Sequence, residues 1–312
     1  MNMTSFVCPQ CRKELLGENA EILQCANCGR KYPVQNNVPF LTSTLEEHEA
    51  VEQKFWDWQY SSEVRKAAPL LSFHHHFLAS LRSLPAGSRV LEIACGTRAD
   101  ALNLAPLGHE LFFTDISGSA LWSVRERASS MHLAVLPTYA VADAEHLPFA
   151  DEMFDGVLTV ASLHHAHDTL GMLLEMKRVV KPNGWVVVGV EPASWPYTVV
   201  YPLLWPLKRL IRIIRRRPIN SVADDETRGF TADGLKKLFF EAGLEVIEVR
   251  PAKFLLEVYD SSCRLLEQLL RRPVKPLYAV ERILDGIDRL IALIPILNRL
   301  PWHWSVIARK RA

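Results

Sequence analysis

The chain has 312 residues, and 36 Lys and Arg against 35 Asp and Glu give a formal net charge of +1. That balance excludes a protein held to nucleic acid by its overall field, while leaving room for a local basic patch. At 49% hydrophobic and 23% charged, the composition excludes wholesale disorder and fits about two domains of ~150 residues.

The N-terminus, MNMTSFVCPQC, has neither the basic start nor the apolar stretch of a secretory signal. The longest apolar stretches stop short of the ~20 residues that a bilayer-spanning helix requires. The expectation is a cytoplasmic protein, soluble or attached to a surface.

Four of the six cysteines fall in the first 28 residues, as Cys8 and Cys11, then Cys25 and Cys28. Two C-x-x-C knuckles thirteen residues apart can present four thiolates tetrahedrally to one structural Zn²⁺. Two disulfides or redox motifs are the competing reading, and the absence of a secretory signal weighs against them. Cys95 and Cys263 are isolated and read as small buried apolar residues. The stretches CPQC, CANCGRKYPV and VPFL resemble the short zinc-ribbon family that is fused to, or partners, methyltransferases. Residues 1–44 are therefore expected to form a zinc ribbon, and 45–312 the main domain.

Residues 45–82 carry helical patterning, with Phe55, Trp56 and Tyr60 among charged residues. The run His74–His76 invites a metal, but consecutive helical positions point about 100° apart and cannot converge on one ion. From Ser88 a β/α alternation begins: the strand SRVLEI, the turn ACGTR, and a helix to about Pro106. The strand ELFFTD follows, then a helix with Ser117 as N-cap, and the strands TYAVAD and DGVLTVAS. The helix DTLGMLLEMKRVV and the strand WVVVGVEP complete the regular part. Buried parallel strands read as continuous apolar runs, as these do. FTADGLKKLFFEAGLEVIEVR adds a helix and a sixth strand, and WHWSVIARK a last one. The predicted fold is α/β, a Rossmann-like, doubly wound, mostly parallel seven-stranded sheet. Segments 195–225 and 255–300 stand outside the alternation as helical cap insertions.

The first strand carries Glu92 and the turn after it Gly96, Asp115 ends the second strand, and Asp143 ends the third. A carboxylate at Asp115 suits a ribose diol, and one at Asp143 suits an adenine amino group, while Gly96 admits close backbone approach. The segments VLEIACGT, FFTDIS, VADAEHLPFADEMFDGVLTVASLHH and LLEMKRVVKPNGWVVVGVEP resemble class I S-adenosylmethionine-dependent methyltransferases, of the type that includes ubiquinone and menaquinone biosynthesis enzymes. The resemblance spans about a third of the chain. It implies S-adenosyl-L-methionine as cofactor, with Glu92, Ala94 and Gly96 at its methionine end. It further implies Asp115 with Ile116 at the ribose, and Asp143 with Ala144 at adenine. The chain departs from the usual three glycines by Ala94 and Arg98. Arg98 either pairs with the cofactor carboxylate or obstructs the site. His164 and His165 follow the fourth strand and are the candidate catalytic residues, as substrate positioners or a general base. The competing reading is that they orient the loop.

Methyl transfer from a sulfonium requires alignment and exclusion of water more than a dedicated base. Topology puts both insertions at the ligand end of the sheet. Their Trp, Leu, Ile, Tyr and Pro content favours a large apolar or amphiphilic acceptor, a lipid, isoprenoid or polyketide-like molecule. In 207–217 the spacing Leu207, Leu210, Ile211, Ile214 with six basic neighbours predicts a basic amphipathic helix, suited to peripheral contact at the inner membrane face or to an intramolecular cap. Two rivals are an RNA methyltransferase of the ribosomal-RNA type and a degenerate, non-catalytic binding module.

Overall fold

A computed structural model describes residues 5–19, 21–42, 47–61, 70–203, 206, 227–270, 272 and 274–312. The chain opens with β1 (Leu15–Asn19), β2 (Ile22–Cys25), β3 (Lys31–Gln35) and β4 (Val38–Pro39), an antiparallel four-stranded sheet. Helices α1 (Glu47–Ser61), α2 (Ser72–Phe77) and α3 (Ala79–Arg82) lead to β5 (Arg89–Ile93). Then come β6 (Glu110–Asp115), α4 (Gly118–Ser129), β7 (Thr138–Val141), β8 (Phe154–Val160), α5 (Thr169–Val179) and β9 (Val180–Pro192). The chain closes with α6 (Ala232–Glu241), β10 (Leu244–Ala252), α7 (Leu255–Leu270), α8 (Tyr278–Ile291) and β11 (His303–Lys310).

The second sheet has seven strands in the order β10-β11-β9-β8-β5-β6-β7, and only β11 runs antiparallel to its neighbours. Order and direction are those expected of the doubly wound fold. Strand β5 alternates its buried residues between the two faces. Leu91 and Ile93 join the core formed with Met172, Leu173 and Phe239 of α5 and α6, and Val90 joins the one formed with Phe77, Leu81 and Val124. A strand covered on both faces in this way is mostly apolar along its length, and Glu92 is the buried exception. Ser117 caps α4, its hydroxyl accepting from Ala120 N at 3.3 Å.

The N-terminal sheet shares its core with the larger one. Leu23, Tyr32 and Leu41 belong to the same buried cluster as Phe112 and Phe149, and the Phe6 ring lies 5.6 Å from that of Phe149. Leu41 N donates to Val141 O at 2.7 Å, so the segment after β4 covers the edge strand β7. An open strand edge is an aggregation hazard, and this contact removes it. The expected boundary near residue 44 lies outside the described residues.

Strands β9 and β10 end on the same side of the sheet. Residues 253–302, with α7 and α8, return from there to β11, as the topology required. The basic pattern at 207–217 lies outside the described residues.

Candidate active site

The floor of the site is the loop that follows β5. Ala94, Gly96 and Ala99 take left-handed conformations, with φ of +49°, +51° and +45°. A left-handed residue with a Cβ costs about 1–2 kcal/mol, which explains why glycine suits position 94. At Gly96 a Cβ would lie 3.1 Å from the Tyr60 hydroxyl, so the backbone there is close-packed as well as strained. Glu92 is buried beneath, accepting from Asp100 N at 2.9 Å and Ala101 N at 2.6 Å. Burial, and then repulsion from Asp100, push its pKa up. Glu92 borders the cleft, but its hydrogen bonds make it the brace that closes the loop.

Asp115 stands at the end of β6. Its carboxylate accepts from Gly96 N and from Ser117 N, each at 2.8 Å. Burial raises its pKa to about 6, and the two N–H donors oppose that rise. Asp143, past the end of β7, accepts from Glu145 N at 2.9 Å and pairs with His146 Nδ1 at 2.8 Å. Both acids, with Ile116 and Ala144, line one cleft of about 490 Å³, a volume typical of small-molecule sites. Ala94, Gly96 and Arg98 line it too. All eight residues expected to hold a cofactor are thus brought together at the carboxyl ends of three adjacent strands. That is where ligands bind in open α/β sheets.

Arg98 is held by Asp100, which accepts from its Nε at 2.8 Å. Its terminal nitrogen Nη2 is buried with no hydrogen-bond partner among the described residues. A buried guanidinium nitrogen without an acceptor is costly, and a ligand carboxylate would satisfy it.

Residues 91–188 match the family model described as "Methyltransferase domain". Those residues carry the sequence pattern of a methyltransferase domain. The ubiquinone/menaquinone biosynthesis C-methyltransferase UbiE of Cupriavidus pinatubonensis is 40% identical over 106 residues, 33% of this chain and 42% of that protein. The 27-O-demethylrifamycin SV methyltransferase of Amycolatopsis mediterranei is 31% identical over 143 residues, 45% of this chain and 51% of that protein. The chain therefore spans about half or less of the length of these curated relatives. Among solved structures, the [4+2]-cyclase SpnF aligns with a TM-score of 0.56 and 16% identity, over 90% of this chain and 98% of that one. Phosphoethanolamine N-methyltransferase 2 of Haemonchus contortus gives 0.51 and 17%, over 88% and 61%. These two likenesses are of fold.

In the methyltransferase domain the two candidate catalytic histidines separate. His165 lines the cleft, its Nδ1 3.3 Å from Glu52 and its ring edge-on to Trp56 with centroids 5.4 Å apart. The His164 side chain is only 7% exposed, its Nδ1 2.8 Å from Glu191, a residue with no exposed surface. Glu191 also accepts the backbone N–H groups of Ser162, Leu163 and His164. Burial alone would raise the Glu191 carboxyl, but the His164 charge and these donors outweigh it and hold the pKa below its ordinary value. Glu191 thus fixes the whole loop after β8.

Sequence reasoning missed Glu191 and the wall built by α1. Glu49, Glu52, Phe55, Trp56, Gln59 and Tyr60 of α1 line the cleft, whereas Arg264 is the described lining residue from the expected cap segments. Helix α1 is tied over the methyltransferase domain by Gln53 Nε2 to Ile116 O at 2.8 Å and by Ser117 Oγ to Asp57 at 2.5 Å. The aromatic spacing of 55, 56 and 60 was legible, but which surface it would meet was not.

The four N-terminal cysteines converge. Their Sγ atoms all lie within 4.8 Å of one another, with Cys8–Cys28 at 3.7 Å and Cys11–Cys25 at 3.4 Å. Tetrahedral Zn–S bonds of about 2.3 Å place sulfurs about 3.8 Å apart, so the cluster fits that ion with small adjustments. Asn27 N and Cys28 N point at Cys25 Sγ, each at 3.4 Å, as expected of a knuckle that stabilises a thiolate. The Lys13 N–H is the main influence lowering the Cys11 pKa to about 6. Cys95 and Cys263 are buried, as expected of small apolar residues.

Proposed function

We propose that the protein transfers a methyl group from S-adenosyl-L-methionine to a large apolar or amphiphilic small molecule. The observation that carries this reading is the cleft where Gly96, Asp115 and Asp143 meet at three strand ends. S-adenosyl-L-methionine, when bound, supplies a methyl already activated by the sulfonium charge. Asp115 accepts from the ribose hydroxyls, Asp143 and Ala144 meet adenine, and Arg98 pairs with the methionine carboxylate, for which its unpartnered Nη2 is suited.

The aromatic wall of Phe55, Trp56 and Tyr60 excludes water and offers apolar surface to an acceptor. His165 at the cleft positions that acceptor or takes its proton, and Glu191 with His164 holds the loop that carries it. Similarity to UbiE and to the 27-O-demethylrifamycin SV methyltransferase supports a lipid or polyketide-like acceptor. The Cys8, Cys11, Cys25 and Cys28 cluster holds a structural Zn²⁺, with four ligands and no open position for chemistry. Among the described residues no helix is long and apolar enough to cross a membrane.

The test is incubation with methyl-labelled cofactor and, separately, lipid extract or RNA, followed by mass spectrometry. Label in an apolar small molecule is expected. Label in RNA would favour the rival acceptor, and no label together with no calorimetric cofactor binding would leave a non-catalytic module.

A further inference from the structure

Helix α8 turns its three acids, Glu281, Asp285 and Asp288, toward the body of the protein, beside the half-buried Val280, Leu284 and Ile291. Asp288 accepts the backbone N–H groups of Phe254, Leu255 and Leu256, at 2.7, 2.8 and 3.2 Å, capping the start of α7 from outside. Asp285 accepts from Ser72 N at 3.0 Å and Ser72 Oγ at 2.7 Å, at the start of α2. Glu281 is half-buried, and desolvation followed by repulsion from Asp260 raises its pKa.

With the acids turned in, part of the helix's apolar surface faces out. Ile283 is 64% exposed and Leu290 65%, and the turn that follows adds Leu293 at 76% and Ile296 at 77%. An ordinary surface helix does the reverse, burying its apolar stripe and solvating its charges. Contiguous exposed apolar surface of this kind marks an interaction site. The charges that remain outside are arginines: Arg282, Arg289 and Arg299 are exposed, and no carboxylate pairs with any of them among the described residues. Apolar side chains flanked by cations, with the anions of the same helix withdrawn, complement the acyl boundary and headgroups of an anionic bilayer.

We propose that the outward face of α8 and the turn after it, from Ile283 to Arg299, docks the protein on an anionic lipid surface. The proposal deepens the reading of an apolar acceptor and rests on it for its purpose. Helix α7, against which α8 packs, supplies Arg264 to the cleft, so the docked face and the cleft share one end of the sheet. An acceptor dissolved in the bilayer would meet the site without crossing water.

The experiment is sedimentation of the full chain with vesicles of equimolar phosphatidylglycerol and phosphatidylcholine, and with phosphatidylcholine alone. Three proteins are compared: the native chain, the variant Ile283→Ser/Leu290→Ser/Leu293→Ser, and the variant Arg282→Glu/Arg289→Glu/Arg299→Glu. All six side chains point outward, so unchanged thermal unfolding is the control for folding. The native chain is expected to bind the anionic vesicles and to be released by salt. The arginine variant should lose on the order of a hundredfold in partitioning, from three basic residues near a charged surface. The serine variant should lose about tenfold or more on either vesicle.

Native protein that ignores both vesicles overturns the proposal, as do variants that bind like the native chain. A native dimer in analytical ultracentrifugation that the serine variant dissociates would overturn it too, assigning the face to a second copy. Vesicle binding is read without any methyl transfer, so failure of docking and failure of the methyltransferase reading are separate results.

Discussion

The backbone N–H of Gly96 donates to Asp115 Oδ2 across 2.8 Å, joining the loop after β5 to the end of β6. Ser117 N holds the other oxygen at 2.8 Å, so both oxygens are fixed before any ligand arrives. Each oxygen keeps a lone pair for a ribose hydroxyl. Preorganisation of this kind lowers the cost of ordering on binding.

Asp115→Ala is expected to weaken S-adenosyl-L-methionine binding by roughly ten- to a hundredfold, the worth of one charged hydrogen bond of ~1.5–3 kcal/mol. Calorimetric affinity equal to the native value would displace the cofactor from this position.

The same residue sets a pH dependence. Burial raises the Asp115 pKa to about 6 from an ordinary value of 3.8. The ionised form accepts from the ribose, so affinity should fall as pH drops through about 6, and Asp115→Asn should flatten that limb. For stability of the ligand-free protein the sign is opposite. Between pH 4 and 6 the folded state binds more protons at this group, so its contribution is full at low pH and lost as pH rises through about 6. Cofactor titrations and urea melts across that range would read both slopes.

At position 94 the left-handed φ of +49° predicts opposite effects of two small changes. Ala94→Gly should be neutral or stabilising by up to about 1 kcal/mol, since strain is relieved while a little packing and chain entropy are lost. Ala94→Val should cost about 2 kcal/mol or more, because a β-branched side chain fits that conformation poorly. Urea midpoints of the two variants in the wrong order would mean that the loop relaxes to another backbone conformation.

Glu191→Gln keeps the shape but exchanges one acceptor oxygen for a donor that faces backbone N–H groups. Four hydrogen bonds now end on that carboxylate. Loss and repulsion there should destabilise the protein by about 1–3 kcal/mol. Methyl transfer should fall further than cofactor affinity, because the disturbed loop carries His165 rather than the ribose site. An equal fall in both would place Glu191 in general stability alone.

Zinc analysis of protein purified under reducing conditions should find one equivalent per chain, absent from Cys25→Ser. Since the ribbon and the sheet share a core through Phe6, Phe149 and Leu41, the effect should spread. Melting of Cys25→Ser or of chelated protein is expected several degrees lower, in a transition that includes β7. Full stability without metal would turn the cysteines into a packing cluster.

The sequence by itself determined the sheet, because a parallel strand covered on both faces is apolar along most of its length, and such runs stand out at 111–113 and 185–190. It also determined the knuckle cysteines, and the acids at 115 and 143, since these lie within a few residues of a strand end whose position the pattern fixes. Tertiary structure decided what meets those positions from elsewhere. Glu191 sits in an apolar strand where only contact with the 162–164 backbone gives its charge a purpose. Glu52, Trp56 and Tyr60 read as one amphipathic helix among several, and hydrogen bonds of Gln53 and Asp57 to residues 60 or more positions away lay that helix over the cleft. For α8 the pattern of apolar and charged positions was written in the chain, but periodicity has no sign. Which stripe faces inward was settled only when Asp285 and Asp288 found unpaired N–H groups at the starts of α2 and α7.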